Sequence, residues 1–432
     1  MNLYADRTFR IDTENAFKIG THVAGVEQKF GDVVKLTLGE PDFPVPIHIK
    51  DEIKRQLDLD NTHYCDPKGV LSLRQAIAHQ VSATRGLDVN PERVVVFPGG
   101  KPPIGFVQQV YCNPGNEVIY PSPGFPIYES FISYVDGVPV PLHLDESSNF
   151  TFSSDQLSQL ISPSTKLIYL NSPSNPTGGV VSPEQLEAIA ATILDQCPAE
   201  VRVYSDEIYE NIMFDNNKHH SIASLPGMES RTIIASGFSK TYSWTGGRIG
   251  YAVFPTESEA DVFKNLNINY FSCVTPYNQE AARLALESPL SVPAVSKMVS
   301  TFQERRDVIW ERLNRMDGIT CQKPLGAFYL FLNISGICEN LGLIDYYQGM
   351  SAADQELTSP AGLFQMFALY CHRVAVMDRK SFGRLGSEGQ HYIRLSIASD
   401  LAVLEDGIAR LNDAAQDNEG INHFLDTRPD LQ

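Results

Sequence analysis

The sequence predicts an α/β fold, a mainly parallel, doubly wound sheet joined to a smaller α+β domain. Three observations lead there. Short apolar, β-branched runs recur, each followed by a loop rich in Gly, Pro, Asn or Ser; the intervals between them are long enough for helices; and beyond about residue 300 the texture changes. Near-continuous apolar runs suit strands covered on both faces, and their alternation with helices suits parallel pairing.

The runs are Arg93–Phe97, Glu117–Tyr120, Lys166–Leu170, Val201–Tyr204 and Thr232–Ala235. Pro183 to Asp195 and Ile104 to Tyr111 are helix candidates between them. The loops Pro98-Gly99-Gly100, Pro121 to Gly124, Asn171-Ser172-Pro173, Ser205-Asp206 and Ser236-Gly237 then fall at the carboxyl ends of the strands, where such sheets bind ligands. Further on come a charged helix candidate, Thr301 to Met316, and the apolar runs Ala327–Leu332 and Tyr392–Ile397. The expected organisation is an N-terminal segment (1–59) joining the small domain, a large domain (60–305), a small C-terminal domain (306–415) and a polar, fraying tail (416–432). Residues 345 to 360, polar and containing Gly and Ser, read as a mobile loop.

With 34 Lys and Arg against 52 Asp and Glu, the net charge is −18, and no basic cluster overrides it, so nucleic acid is disfavoured as a partner. No stretch reaches the length of a membrane span, and residues 1–7 lack the basic-then-apolar order of a secretory signal; a cytoplasmic location is expected. Seven scattered cysteines without a CxxC pair argue against a disulfide framework or zinc, and no metal is expected. His219-His220 reads as part of a solvated loop. Dinucleotide, P-loop, zincin and hydrolase signatures are absent.

The most informative stretch is Ser236-Gly237-Phe238-Ser239-Lys240-Thr241-Tyr242-Ser243-Trp244-Thr245-Gly246-Gly247-Arg248-Ile249-Gly250. A lysine just past a strand, among small residues, can become a nucleophile toward aldehydes, and an arginine eight positions on suits a phosphate. Alone, the two residues suit a structural role equally well.

Here the sequence resembles the class I/II aminotransferases, pyridoxal 5'-phosphate (PLP) enzymes of fold type I similar to aspartate aminotransferase. Besides the lysine segment, which departs from the family at Trp244, four motifs stand in the family's order: Gly39-Glu40-Pro41-Asp42, Asn175-Pro176-Thr177-Gly178, Asp206-Glu207-Ile208-Tyr209 and Ile393-Arg394-Leu395-Ser396. The resemblance implies that Lys240 carries PLP, that Asp206 keeps its ring nitrogen protonated, and that Asn175 and Tyr209 bond its phenolic oxygen. It gives Phe125 as the ring stacked on the cofactor, and Gly99, Gly100, Lys101, Arg248 and Ser236 or Ser239 as phosphate contacts. Taken singly, Asp206 suits a helix cap, Asn175 a turn, and Tyr209 and Phe125 the core. Tyr64 resembles a tyrosine that reaches the neighbouring subunit's phosphate, which implies a homodimer with shared sites. Gly39, Asn175 and Arg394 fall at the substrate, with Arg394 on its α-carboxylate. Lys101 has two readings: binding the distal carboxylate of an acidic substrate, or a general positive charge near the phosphate.

The expected activity is a ping-pong transfer of an amino group between an L-amino acid and a 2-oxo acid, with an acidic amino acid or 2-oxoglutarate favoured. A PLP-dependent lyase, cyclase or oxidase is the alternative, because the motifs fix the cofactor and not the outcome. A PLP-binding regulatory module is a third reading; it needs a DNA-binding domain, and fewer than 40 residues precede Gly39.

Overall fold

A computed structural model describes residues 3–11 and 15–431. Seven strands form the larger sheet, in the order Val94–Phe97, Gly250–Val253, Thr232–Gly237, Arg202–Asp206, Thr165–Asn171, Glu117–Ser122, Val138–His143. Every pairing is parallel except those of Gly250–Val253, which runs antiparallel to both neighbours.

Both faces are buried, which is why the strands read as unbroken apolar runs. Val95, Phe97, Tyr120, Tyr169, Tyr204 and Ile233 pack toward the helices Lys101–Tyr111 and Glu257–Phe271. On the opposite face, Val94, Val96, Ile234 and Tyr251 meet Leu71–Arg85 and Pro276–Glu287, while Ile119, Ile168 and Val203 meet Pro183–Gln196. The last helix shows how local chemistry sets its start: Pro183 occupies the first turn, and Ser182 and Gln185 cap each other's backbone N–H groups.

The smaller sheet is antiparallel, ordered Met377–Asp378, Tyr392–Ser396, Tyr329–Asn333, Thr320–Cys321. It shares a core with the helices Ser291–Leu313, Pro360–His372 and Leu401–Gln416. Val34–Lys35 pairs in parallel with Val374–Ala375, so the chain leading to Gly39 is sewn to these later residues.

The structure corrects several expectations. Residues 345 to 360 are largely helical, with helices Leu343–Gln348 and Ala352–Leu357 before Pro360–His372. The tail is not without structure: helix Asn418–Thr427 buries Ile421, Phe424 and Leu425, apolar residues at helical spacing on one face. The charged helix begins at Ser291 rather than Thr301. Strands Val138–His143 and Gly250–Val253 were not foreseen.

Phe302, fully buried, joins the long helix to the small sheet's core. Its ring stacks on Phe328 at 5.2 Å and meets Phe43 edge-on at 5.2 Å. Phe302→Ala is expected to destabilise the protein by about 3–5 kcal/mol, the range for emptying a buried aromatic site, read as a lower midpoint of thermal unfolding.

Candidate functional site

Strand register assembles the floor of the site. Asn171 lies opposite Asp206, and Asp206 opposite Ala235, so the ends of three adjacent parallel strands stand in one row. A cavity of about 430 Å³ opens there. Gly39, Gly100, Lys101, Phe125, Asn175, Asp206, Tyr209, Ser236, Ser239, Lys240, Arg248 and Arg394 all line it. Gly99 lies just behind, and Tyr64 is elsewhere, 88% exposed in the loop after helix Ile47–Asp58.

Asp206 is the buried anion of the floor. Its carboxylate accepts from the Tyr128 hydroxyl at 2.7 Å and the Ile208 N–H at 3.3 Å. Burial pushes its pKa up from the ordinary 3.8 to about 6, against the opposing pull of those donors and of the Lys240 charge. Tyr128 was not anticipated; it lies three residues past Phe125, at the start of helix Ile127–Tyr134, and no motif marks it.

Lys240 follows strand Thr232–Gly237 in the one-turn helix Phe238–Thr241, and its ammonium donates to the Gly39 carbonyl. The Gly-Glu-Pro-Asp motif thus receives the lysine and is held in turn by Arg305, whose guanidinium bonds both Asp42 oxygens at 2.8 Å. Tyr209 shares a 2.8 Å hydrogen bond with the hydroxyl of Tyr329, a second unanticipated tyrosine. A Cβ on Gly39 would collide with that hydroxyl, so glycine is needed for close approach.

Arg394 comes from the small sheet, with Phe331 and Met377 as its cross-strand partners. It is 4% exposed, donating to the Asn175 side chain at 2.9 Å and the Thr37 carbonyl at 2.6 Å, between the rings of Tyr329 and Phe382 at 4.3 and 4.8 Å.

Opposite lies an anion cradle. Gly99 has φ +95°, and a Cβ there would strike the guanidinium of Arg248. Gly100 then leads into helix Lys101–Tyr111; because Pro102 and Pro103 in its first turn carry no N–H, the backbone donors at this end are those of Gly100 and Lys101, both on the cavity wall, with the helix dipole behind them. Arg248 adopts φ 52° and is steadied by the Thr245 carbonyl at 2.7 Å. Of the two serines, Ser236 is turned away: its hydroxyl donates to Glu210 at 2.8 Å. Glu210 belongs to a buried network in which Arg85 bonds Glu207 at 2.6 Å, and His219 Nε2 lies 3.0 Å from Glu207. That corrects the reading of His219, which is largely buried, whereas His220 is exposed.

The donor set suits a flat, phosphorylated, basic heterocycle: a helix terminus, Arg248 and Ser239 for the phosphate, an amine for a carbonyl, and a buried carboxylate in want of a cation. The carboxylate has a signature in the ligand-free protein. Below about pH 4 it is protonated both folded and unfolded and costs nothing; above about pH 6 the folded protein must keep it ionised and buried. Asp206→Asn, which still accepts from Tyr128, is expected to stabilise the ligand-free protein by on the order of 3 kcal/mol at pH 8. In urea unfolding at a series of pH values, the gain should shrink as pH falls through about 6 and vanish near 4.

Comparison with known proteins agrees with this arrangement. Residues 31–411 match the family Aminotransferase class I and II. Aspartate aminotransferase of Pyrococcus abyssi is 34% identical over 94% of this chain and 97% of its own, and a probable aspartate/prephenate aminotransferase of Aquifex aeolicus is 32% identical over 96% and 98%. The solved aspartate aminotransferase of Rhizobium meliloti superposes with a TM-score of 0.85 at 29% identity, covering 96% of this chain and 99% of that one. The chain therefore belongs to the class I and II aminotransferases, the fold type I family of PLP-dependent enzymes, whose general activity is amino-group transfer.

Proposed function

We propose that this protein binds PLP at the described cavity and transfers amino groups between an acidic L-amino acid and a 2-oxo acid, with 2-oxoglutarate as a favoured acceptor. The observation that carries the reading is the meeting of one amine, one buried carboxylate and one buried guanidinium, Lys240, Asp206 and Arg394, in a single cavity.

When bound, PLP supplies an electron sink for negative charge developing at the substrate's Cα. The chain's residues do the rest. Asp206 would keep the ring nitrogen protonated, Asn175 and Tyr209 would donate to the phenolic oxygen, and Phe125 would cover one ring face. Gly99, Gly100, Ser239 and Arg248 would hold the phosphate. Arg394 would take the α-carboxylate in a paired contact, its guanidinium already aimed by Asn175, Thr37 and two rings. Lys240, first holding the cofactor and then displaced, would take the proton from Cα as general base and deliver it to C4′ of the cofactor as general acid.

Lys101 supports the acidic preference. It opens its helix at the cavity rim, with Nζ 5.8 Å from the Phe125 ring. Relatives named aspartate aminotransferase and aspartate/prephenate aminotransferase align over nearly the whole chain. The exposed Tyr64 would complete the phosphate site of a second copy, making the working unit a homodimer.

Mixing the PLP-loaded protein with a panel of amino acids should convert PLP to pyridoxamine phosphate without any acceptor; ammonia or a cyclised product would favour a lyase or cyclase. Borohydride reduction and peptide mapping should place the pyridoxyl label on Lys240, and a label on Lys101 would overturn the assignment. Lys101→Ala should lower kcat/KM for aspartate or glutamate by roughly tenfold to a thousandfold while apolar substrates lose little. Equal losses would give Lys101 to the phosphate or the fold.

A further inference from the structure

Two consecutive cations, Arg379 and Lys380, stand just before Ser381 and Phe382 on the cavity wall, in the 3-10 turn Arg379–Phe382. They point to opposite sides. Arg379 is 1% exposed and reaches the large sheet, donating to the Ser122 hydroxyl at 2.9 Å, and it also holds the Gly383 carbonyl at 2.8 Å and the Gln390 side chain at 2.8 Å. Lys380 reaches outward. Its ammonium donates to three carbonyls, Gln355 at 3.0 Å, Glu356 at 2.6 Å and Thr358 at 3.0 Å, at the end of helix Ala352–Leu357. A lysine has three N–H donors, and here three converging carbonyl oxygens meet them.

Between the two anchors, Phe382 is fixed on three sides. Its carbonyl accepts from the Gly124 N–H at 2.9 Å, its ring stands 4.8 Å from the Arg394 guanidinium, and Asp378 caps its turn through the Ser381 N–H at 3.2 Å. Asp378 also accepts from Ser359, the residue before helix Pro360–His372, at 3.4 Å. The segment from 352 to 359 is thus bound to the turn that carries Phe382, although it lines no part of the cavity.

We propose that Lys380 is a positioning residue for the carboxylate site: by gathering the carbonyls of residues 355, 356 and 358, it makes the outer helix a backstop that holds Phe382 against Arg394. Without the ammonium, three carbonyl dipoles face one another and repel. The outer segment then withdraws, the turn loses one of its two anchors, and the guanidinium loses the ring that orients it. The consequence falls on substrate binding, not on the proton transfer at Lys240. This inference rests on the reading of Arg394 as the residue that binds the substrate's α-carboxylate.

The test uses the PLP-loaded protein and maleate, a dicarboxylate that cannot react. Lys380→Met keeps the aliphatic stem and removes the charge. Maleate titrated by calorimetry should bind about tenfold more weakly to it, KM for the amino acid should rise by a similar factor, and kcat should stay within about twofold. Amide hydrogen exchange should quicken at residues 352–358, and Lys380→Arg should restore part of the affinity. Arg379→Lys, which keeps the charge but loses the planar fork, should also raise the maleate Kd. Faster exchange with unchanged maleate affinity would overturn the proposal, as would no change in either. If Arg394→Lys leaves both the maleate affinity and the KM for the amino acid untouched, the reading of Arg394 fails first and the proposal falls with it.

Discussion

A carboxylate buried at the end of a short parallel strand is costly, and the site is arranged around that cost. Among the described residues, the hydrogen bonds to the Asp206 carboxylate come from the Tyr128 hydroxyl and the Ile208 N–H, too few to make its charge comfortable away from water. The sheet register puts it beside Asn171 and Ala235, and the chain after Ala235 brings Lys240 into the same space. A cationic ring laid over this floor relieves the burial that the protein alone only endures. The position of Phe125, Tyr209 and Arg248 around the same opening follows from that demand.

The small sheet answers a different one. A guanidinium kept dry and held in one direction needs several partners, and Arg394 draws them from residues far from it in sequence: Thr37, Asn175, Tyr329 and Phe382. The early segment around Gly39 takes part because Val34–Lys35 pairs with Val374–Ala375 and because Arg305 holds Asp42. The cavity is therefore walled by pieces from nearly the whole length of the chain, and both sheets must be in place before any of it exists.

Much of this was legible in the sequence because strands buried on both faces leave unbroken apolar runs, and because Lys240, Asp206, Asn175 and Arg394 sit in recognisable motifs. Other parts were hidden for physical reasons. Val138–His143 contains Pro139 and Pro141, which are tolerated because it is an edge strand, yet they erase the strand signal. Gly250–Val253 is four residues long and opens with glycine. Helix Ala352–Leu357 is almost wholly exposed and draws its support from Lys380, more than twenty residues on, so no local periodicity announces it. Tail helix Asn418–Thr427 did carry an apolar stripe, outweighed by its polar composition. Tyr128 and Tyr329 reach the site by folding alone, contacting partners 78 and 120 residues away.

The antiparallel strand Gly250–Val253 governs the order in which the molecule can be built. Val94–Phe97 joins the sheet only through it, and Gly250 packs so closely on Gly99 and Gly100 that an added Cβ would strike their backbone. A nascent chain emerging from the ribosome therefore carries the first strand and the glycine turn as unattached pieces until Gly250–Val253 has been made. The cradle formed by Gly99, Gly100 and Arg248 is closed by the last strand of its sheet, so it cannot exist before synthesis has passed Val253.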